Sequence, residues 1–339
     1  MQGAFTPFRL TIMPTIDDLD EAVRNRQCVL FLGAGVHYPP PPDSLYSYAP
    51  QARPPIGAAY SCALVNECVA ELNRKSQLKV PASLGLTDEQ RVRRDLEETI
   101  AEETREKERV YLERHRENLQ RSSWYYEVRH GRDSLVKKTI KAVDTEKEPS
   151  AIVRALAEID FPIVITTNYD RLFEKALRSC NPGKEPAVRI YDPDGQMPTK
   201  NFLGLPKANE RWLFKMHGCV SQPDSLVITD EDYINFVMRM GDSEDYHPVP
   251  QKIRVQFKEW PTLFVGYSLL DYNLRLLFRT LRRRVDKSER PPTFALDPVP
   301  DLLVVETYGP SGLVSFIEQD SWRFVPELYQ RIFNRAMTK

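Results

Sequence analysis

Four short segments carry residue types that can do chemistry, and each one follows an apolar run. In FLGAGV, Gly33 and Gly35 flank Ala34 and lead into Val36. Glycines permit a tight turn and let backbone N–H groups come close to a phosphate, so the segment reads as a cradle for a nucleotide. A purely structural glycine turn has the same spelling, and the apolar run Val29–Leu32 just before it favours the cradle. In ITTNYDRLFEKAL, Thr166, Thr167 and Asn168 close an apolar run, and Asp170 stands where it can cap the following helix. Capping accounts for Asp170 but not for an amide preceded by two hydroxyls, which makes Asn168 the better functional candidate. In WLFKMHGCV, His217 enters a turn made by Gly218. Imidazole suits a general base, although a histidine satisfied in the core or lying at the surface fits the same pattern. In LFVGYSLLDYNLRLLFRTL, the Gly266-Tyr267-Ser268 turn offers backbone donors and a hydroxyl.

These segments need a scaffold that brings their ends together. Val29–Leu32, Ile163–Ile165 and Leu263–Val265 are too short for helices and apolar on both faces, as strands of a parallel sheet are. Each leads through a polar or glycine turn into a helix-like stretch. That grammar implies an α/β fold with a Rossmann-like, doubly wound, mostly parallel sheet, whose ligands bind beyond the carboxyl ends of the strands. Helices are expected over Ile16–Arg26, Gly57–Asn73, Ser150–Glu158, Tyr169–Ser179, Asp230–Met240, Pro250–Glu259 and Asp271–Arg284. Further strands are expected over Val188–Tyr191, Trp212–Met216, Leu226–Ile228, Thr293–Leu296 and Leu302–Glu306. Within one domain spanning 1–339, residues 74–148 read as a helical insertion or cap, because charges of both signs alternate there with apolar residues at helical spacing. The proline-rich HYPPPPDSLYSYAPQARPPIG must be a long loop after the first turn. The apolar residues of SGLVSFIEQDSWRFVPELYQRIF read as core first and as a contact surface second.

Bulk properties narrow the function classes. With a net charge of −1 over 339 residues, the chain has no field that would draw nucleic acid. No apolar run approaches the roughly 18 residues of a membrane span. The first residues have too short an apolar stretch for a signal peptide and too many acids for a transit peptide, so the expectation is a cytoplasmic protein without membrane contact. The five cysteines are scattered, with no Cys-x-x-Cys pair, and His37, His115, His130 and His247 lack companions at metal-ligand spacing. No metal is expected. A GxxxxGK[ST] segment is also absent, so any ATP motor would have to be a separate protein.

Taken in order, GAG (Gly33 to Gly35), TTNYD (Thr166 to Asp170), KMHG (Lys215 to Gly218) and GYS (Gly266 to Ser268) resemble the motifs of the sirtuin family. ITDEDYINF and GYSLLDYNLR are similar to the wording of its bacterial branch in anti-phage defence. The resemblance implies NAD as substrate, hydrolysed to nicotinamide and ADP-ribose. It implies that Asn168 positions the nicotinamide ribose and the attacking water, and that His217 acts on the ribose hydroxyls as general base. The NAD site would be lined by Gly33, Ala34, Gly35, Val36, Thr167, Asp170, Gly266, Tyr267 and Ser268. Breaking the nicotinamide glycosidic bond passes through an oxocarbenium-like state, which an amide and an imidazole beside a pyrophosphate can serve without a metal. Two departures from deacylating sirtuins stand out. The paired cysteines of a zinc ribbon are missing, and GAGVH has His37 where a serine is usual, so neither His37 nor Asp43 inherits a role. An unrestrained NAD hydrolase would poison its host. Control by assembly is therefore expected, as a homo-oligomer or with a HerA-like ATPase partner. The alternatives are a protein deacylase or ADP-ribosyl transferase, and a non-catalytic nucleotide-binding assembly subunit.

Overall fold

A computed structural model describes residues 14–77, 87–180, 185–194, 199–208, 210–242, 245–268, 290–309 and 314–338. The expected helix Asp271–Arg284 lies outside them.

The apolar runs become strands buried along their whole length: β1 (Val29–Leu32), β2 (Ile163–Thr166), β4 (Trp212–Lys215), β5 (Thr262–Val265) and β6 (Thr293–Leu296). The half-buried β3 (Ala187–Ile190) and β7 (Ser315–Ile317) form the edges. The seven pair in the order β3-β4-β2-β1-β5-β6-β7, and every pairing is parallel. The doubly wound expectation holds. From β1 the chain fills one side through β2, β3 and β4, then returns to the other side at β5. The order therefore switches at β1, the position where open α/β sheets leave a crevice for ligands. Register places Leu32, Thr166, Lys215 and Val265 in one row at the carboxyl edge. The four motif segments consequently leave the sheet side by side.

Helices α1 (Ile16–Arg24), α6 (Ala151–Glu158), α7 (Leu172–Cys180) and the C-terminal α11 (Ser321–Phe333) belong to the same unit. α6 packs on α7 and on α11, and α11 also packs on α1. Trp322, Phe324 and Leu328 of α11 lie in the hydrophobic core, as their spacing suggested. The Trp322 indole N–H donates to the Tyr38 carbonyl at 3.1 Å, and Tyr46 and Tyr48 pack beside its ring. These contacts pin the proline-rich loop.

Residues 55–142 with 227–234 form a second compact unit. Its helices are α2 (Gly57–Gln77), α3 (Asp88–Arg114), α4 (Leu119–His130) and α5 (Arg132–Val143), the last ending at the unit boundary. Inside it Ser61 donates to Ser122 at 2.8 Å, and Tyr60 meets Thr139 at 3.0 Å. A capping box at Thr87 and Gln90 opens α3.

Two expected strands are not strands. Leu226–Ile228 is buried but irregular, because the Ile228 and Thr229 N–H groups donate to the Asp232 carboxylate, both at 2.9 Å, instead of to a neighbouring strand. Asp232 lies in α8 (Asp230–Arg239), and α9 (Gln251–Glu259) precedes β5. Leu302–Glu306 belongs to a helix, α10 (Leu302–Tyr308), capped by Asp301. It buries Val304 and Tyr308 one turn apart while Leu302 and Leu303 face solvent. No helix among the described residues is long and apolar enough to cross a membrane.

Candidate functional site

The turn after β1 and the turn after β5 interlock. Gly33 N–H donates to Val265 O at 3.0 Å and Gly35 N–H to Gly266 O at 2.8 Å. A Cβ on Gly33 would lie 2.3 Å from the Gly266 oxygen, and one on Gly35 would lie 2.8 Å from it. Gly266 has a φ of +70°, and a Cβ there would meet Val36 N at 2.1 Å. The three glycines thus allow two turns to touch backbone to backbone. The Gly33 and Gly35 N–H groups, which the sequence assigned to a pyrophosphate, are taken by carbonyls. The Ala34 N–H donates to no described residue and remains the free donor of that turn. Tyr267 meets Phe31 edge to face at 5.4 Å. Along the same sheet edge Tyr267 and Ser268 line a small pocket with Asp297, whose carboxyl burial pushes up from its ordinary value.

The segment after β2 is pinned by the Thr166 hydroxyl, which donates to Leu32 O and accepts from Asn168 N–H, both at 3.0 Å. Thr167 N–H donates to Leu32 O at 3.3 Å. These bonds turn the Asn168 amide back to β1, where Nδ2 donates to Gly33 O at 3.3 Å. Its Oδ1 is buried and meets no hydrogen-bond partner among the described residues.

Asp170 does more than cap. One carboxylate oxygen accepts the Leu172 N–H at 2.9 Å, and the other lies 3.2 Å from His37 Nε2. Both side chains are buried. Burial would raise the Asp170 pKa, but the charge and hydrogen bond of His37, the Lys215 charge and the Leu172 N–H outweigh it and hold the carboxyl down at about 2. Lys215, at the end of β4, donates its Nζ to the Asp170 carbonyl and pairs with Glu174 at 3.3 Å. Burial works against its charge, yet the neighbouring carboxylates keep it protonated.

β4 delivers His217 beside that segment, since Met216 N–H donates to Thr166 O at 2.8 Å and Val220 N–H to Tyr169 O at 2.9 Å. Gly218 has a φ of +84°, and a Cβ there would strike Ser225 O at 2.1 Å, so only glycine fits the turn. His217 is buried and packs edge-on to Phe236 at 5.4 Å. Burial lowers its pKa to about 3, which leaves the imidazole neutral, with one ring nitrogen able to accept a hydrogen bond.

The four segments thus follow neighbouring strands at one sheet edge, in the spatial order His217, Thr167–Asp170, Gly33–Val36 and Gly266–Ser268. Sequence reasoning missed His37, Lys215 and Glu174. A lysine within WLFKM was a usable signal, because a charge at the end of a buried strand demands a partner. Nothing local marks His37, whose partner lies 133 positions away. Asp43 is exposed and pairs with Arg323 at 2.7 Å.

Residues 162–309 match the family described as SIR2-like domain. Among curated proteins, the chain is 29% identical over 170 residues to the NAD(+) hydrolase ThsA of Acinetobacter baumannii, covering 50% of this chain and 32% of that protein. It is 30% identical over 149 residues to the ThsA of Enterococcus faecium, covering 43% and 28%. To the defense-associated sirtuin 2 of Bacillus subtilis it is 27% identical over 141 residues, covering 40% and 12%. The matched part of this chain spans about a third or less of each relative's length.

Proposed function

We propose that this chain, a sirtuin-like protein by its SIR2-like domain, is an NAD glycohydrolase whose reaction takes place at the carboxyl edge of β1, β2, β4 and β5. The observation that carries the reading is the Asn168 amide, tied to Gly33 on one side and left with a buried, unpaired oxygen at the point where the strand order switches. The names of the relatives, NAD(+) hydrolase, support the same substrate.

In this reading the glycosidic bond between nicotinamide and C1′ of the ribose breaks and the electron pair leaves with nicotinamide. Water adds to C1′ and loses a proton, giving ADP-ribose, nicotinamide and H⁺. Asn168 holds the ribose and the water in line. His217, neutral because it is buried, accepts a hydrogen bond from a ribose hydroxyl and so polarises it. The Ala34 N–H and the turns around Gly266 face the pyrophosphate.

The test is to incubate the protein with NAD and follow nicotinamide and ADP-ribose by chromatography. Asn168→Ala and His217→Ala are each expected to lower turnover about 100-fold or more with the melting temperature retained. Transfer of ADP-ribose to protein, or loss of acyl groups from lysine without net hydrolysis, would replace hydrolysis with the corresponding sirtuin activity.

The biological role we infer is depletion of NAD in anti-phage defence inside the cytoplasm, restrained by homo-oligomer assembly or by a HerA-like ATPase partner. Support comes from the name of the Bacillus subtilis relative and from the toxicity of unrestrained NAD loss.

A further inference from the structure

Within the helical unit, α3 has one side docked and one side bare. The docked side meets α2, where Arg109 donates to Asn73 at 3.0 Å and to Ser76 at 2.7 Å, and Ser76 donates to Glu102 at 2.9 Å. Arg105 joins that side through Glu102, and Leu112 is buried. Leu96 lies nine residues from Arg105, about two and a half turns, and so faces the other way. With Val92 and Ile100 it forms a ridge at four-residue steps, and Val92, Leu96 and Ile100 are 69%, 59% and 53% exposed. A helix face meant for water is polar at such positions, and three large apolar side chains in one row exceed the scattered singles of an ordinary surface.

The charges of α3 sort in the same way. On the docked side Glu102 pairs with Arg105 and Arg109, and Glu106 pairs with Arg109. Beside the ridge, the side chains of Glu89, Glu103 and Lys107 make no ion pair or hydrogen bond among the described residues. Arg93 pairs with Glu97 one turn on, both of them exposed.

These positions suit a second copy of the same helix, in one direction and one register. Let the two run antiparallel about a two-fold axis, with Leu96 of each copy level with Ile100 of the other. Glu89 then lies level with Lys107 of the second copy, and Arg93 with its Glu103, each pairing occurring twice by symmetry. Sliding one helix by four residues sets Glu89 against Glu103 or Arg93 against Lys107. A parallel pair in register sets every charge against itself. Only the first arrangement matches both the apolar row and the charges that lack partners.

We propose that the Val92–Leu96–Ile100 ridge is an interface between two copies of this chain, packed as an antiparallel α3 pair. It names the surface for the homo-oligomer put forward above, and it does not depend on the NAD reading. Three apolar side chains from each copy, flanked by exposed ion pairs, make a small contact, so the association is weak and sensitive to salt.

Sedimentation velocity of the full chain over a concentration series at low salt reads the association. Leu96→Ser is expected to weaken it about tenfold or more, with the melting temperature kept because the position is exposed. Glu89→Lys and Lys107→Glu are each expected to weaken it by about fivefold, since either reversal sets like charges level with each other twice. Carried together in one chain, the two reversals should restore it, and high salt should shrink the differences among the three charge variants. A parallel pair would gain nothing from the double reversal.

A wild type that stays monomeric throughout would overturn the proposal and leave the ridge to another protein. A double reversal no better than the single ones would overturn it as well. Association that survives Leu96→Ser would overturn this surface while keeping the homo-oligomer. Association lost in Leu96→Ser and restored by the double reversal, in protein that turns over no NAD, would support this surface and remove the hydrolase reading.

Discussion

Asp170 is buried and yet ionised, because His37, Lys215 and the Leu172 N–H all face it. Its folded pKa, about 2, lies below its usual value of 3.8, so it adds stability that is complete above the unfolded value and lost as pH falls through the folded one. At neutral pH that contribution is about 2 kcal/mol. The expected outcome is that wild type exceeds Asp170→Asn in urea unfolding by that amount at pH 7, with the gap closing as pH drops from about 4 to about 2. A gap independent of pH would mean that the carboxylate is not held by these partners. Gly266 makes a different kind of contribution. With a φ of +70° and Val36 N in the place of a Cβ, Gly266→Ala should cost about 2–5 kcal/mol, read as a loss in melting temperature. Gly131, with a φ of +83° and nothing within 4 Å, meets only the backbone term, so Gly131→Ala should cost less.

Among the elements, those that carry the site were also the most legible. Val29–Leu32, Trp212–Lys215 and Thr293–Leu296 could be read from apolar runs, because a strand covered on both faces needs nothing but bulk at each position. The same simplicity misled at Leu302–Glu306. LLVVE suits a strand or a helix, and the choice fell to Asp301, whose carboxylate accepts the Val304 N–H at 3.1 Å. Short apolar stretches such as Val227–Ile228 failed for a related reason, since a side-chain carboxylate four residues on satisfied the backbone that a strand would have paired. The expected strand Val188–Tyr191 lies one residue from the observed Ala187–Ile190, and β7 escaped notice because an edge strand of three half-buried residues has no clear apolar run.

At the scale of the whole molecule, the sheet gathers four segments spread along the sequence, and regulation of the proposed reaction belongs here as well. If assembly restrains or licenses NAD turnover, activity per chain should change across the concentration range in which sedimentation shows association. Constant specific activity in a species that remains monomeric, with and without a partner ATPase, would count against control by assembly. What the sequence determined by itself was the class of fold and the motif residues, because strand burial, turn chemistry and residue type are local properties written in short windows. Only the tertiary structure decided which of those residues touch. The contact of His37 with Asp170, the interlocking of Gly33 with Gly266 and the burial of Lys215 against Glu174 arise from β-sheet register between strands far apart in the chain, and no local pattern carries that register.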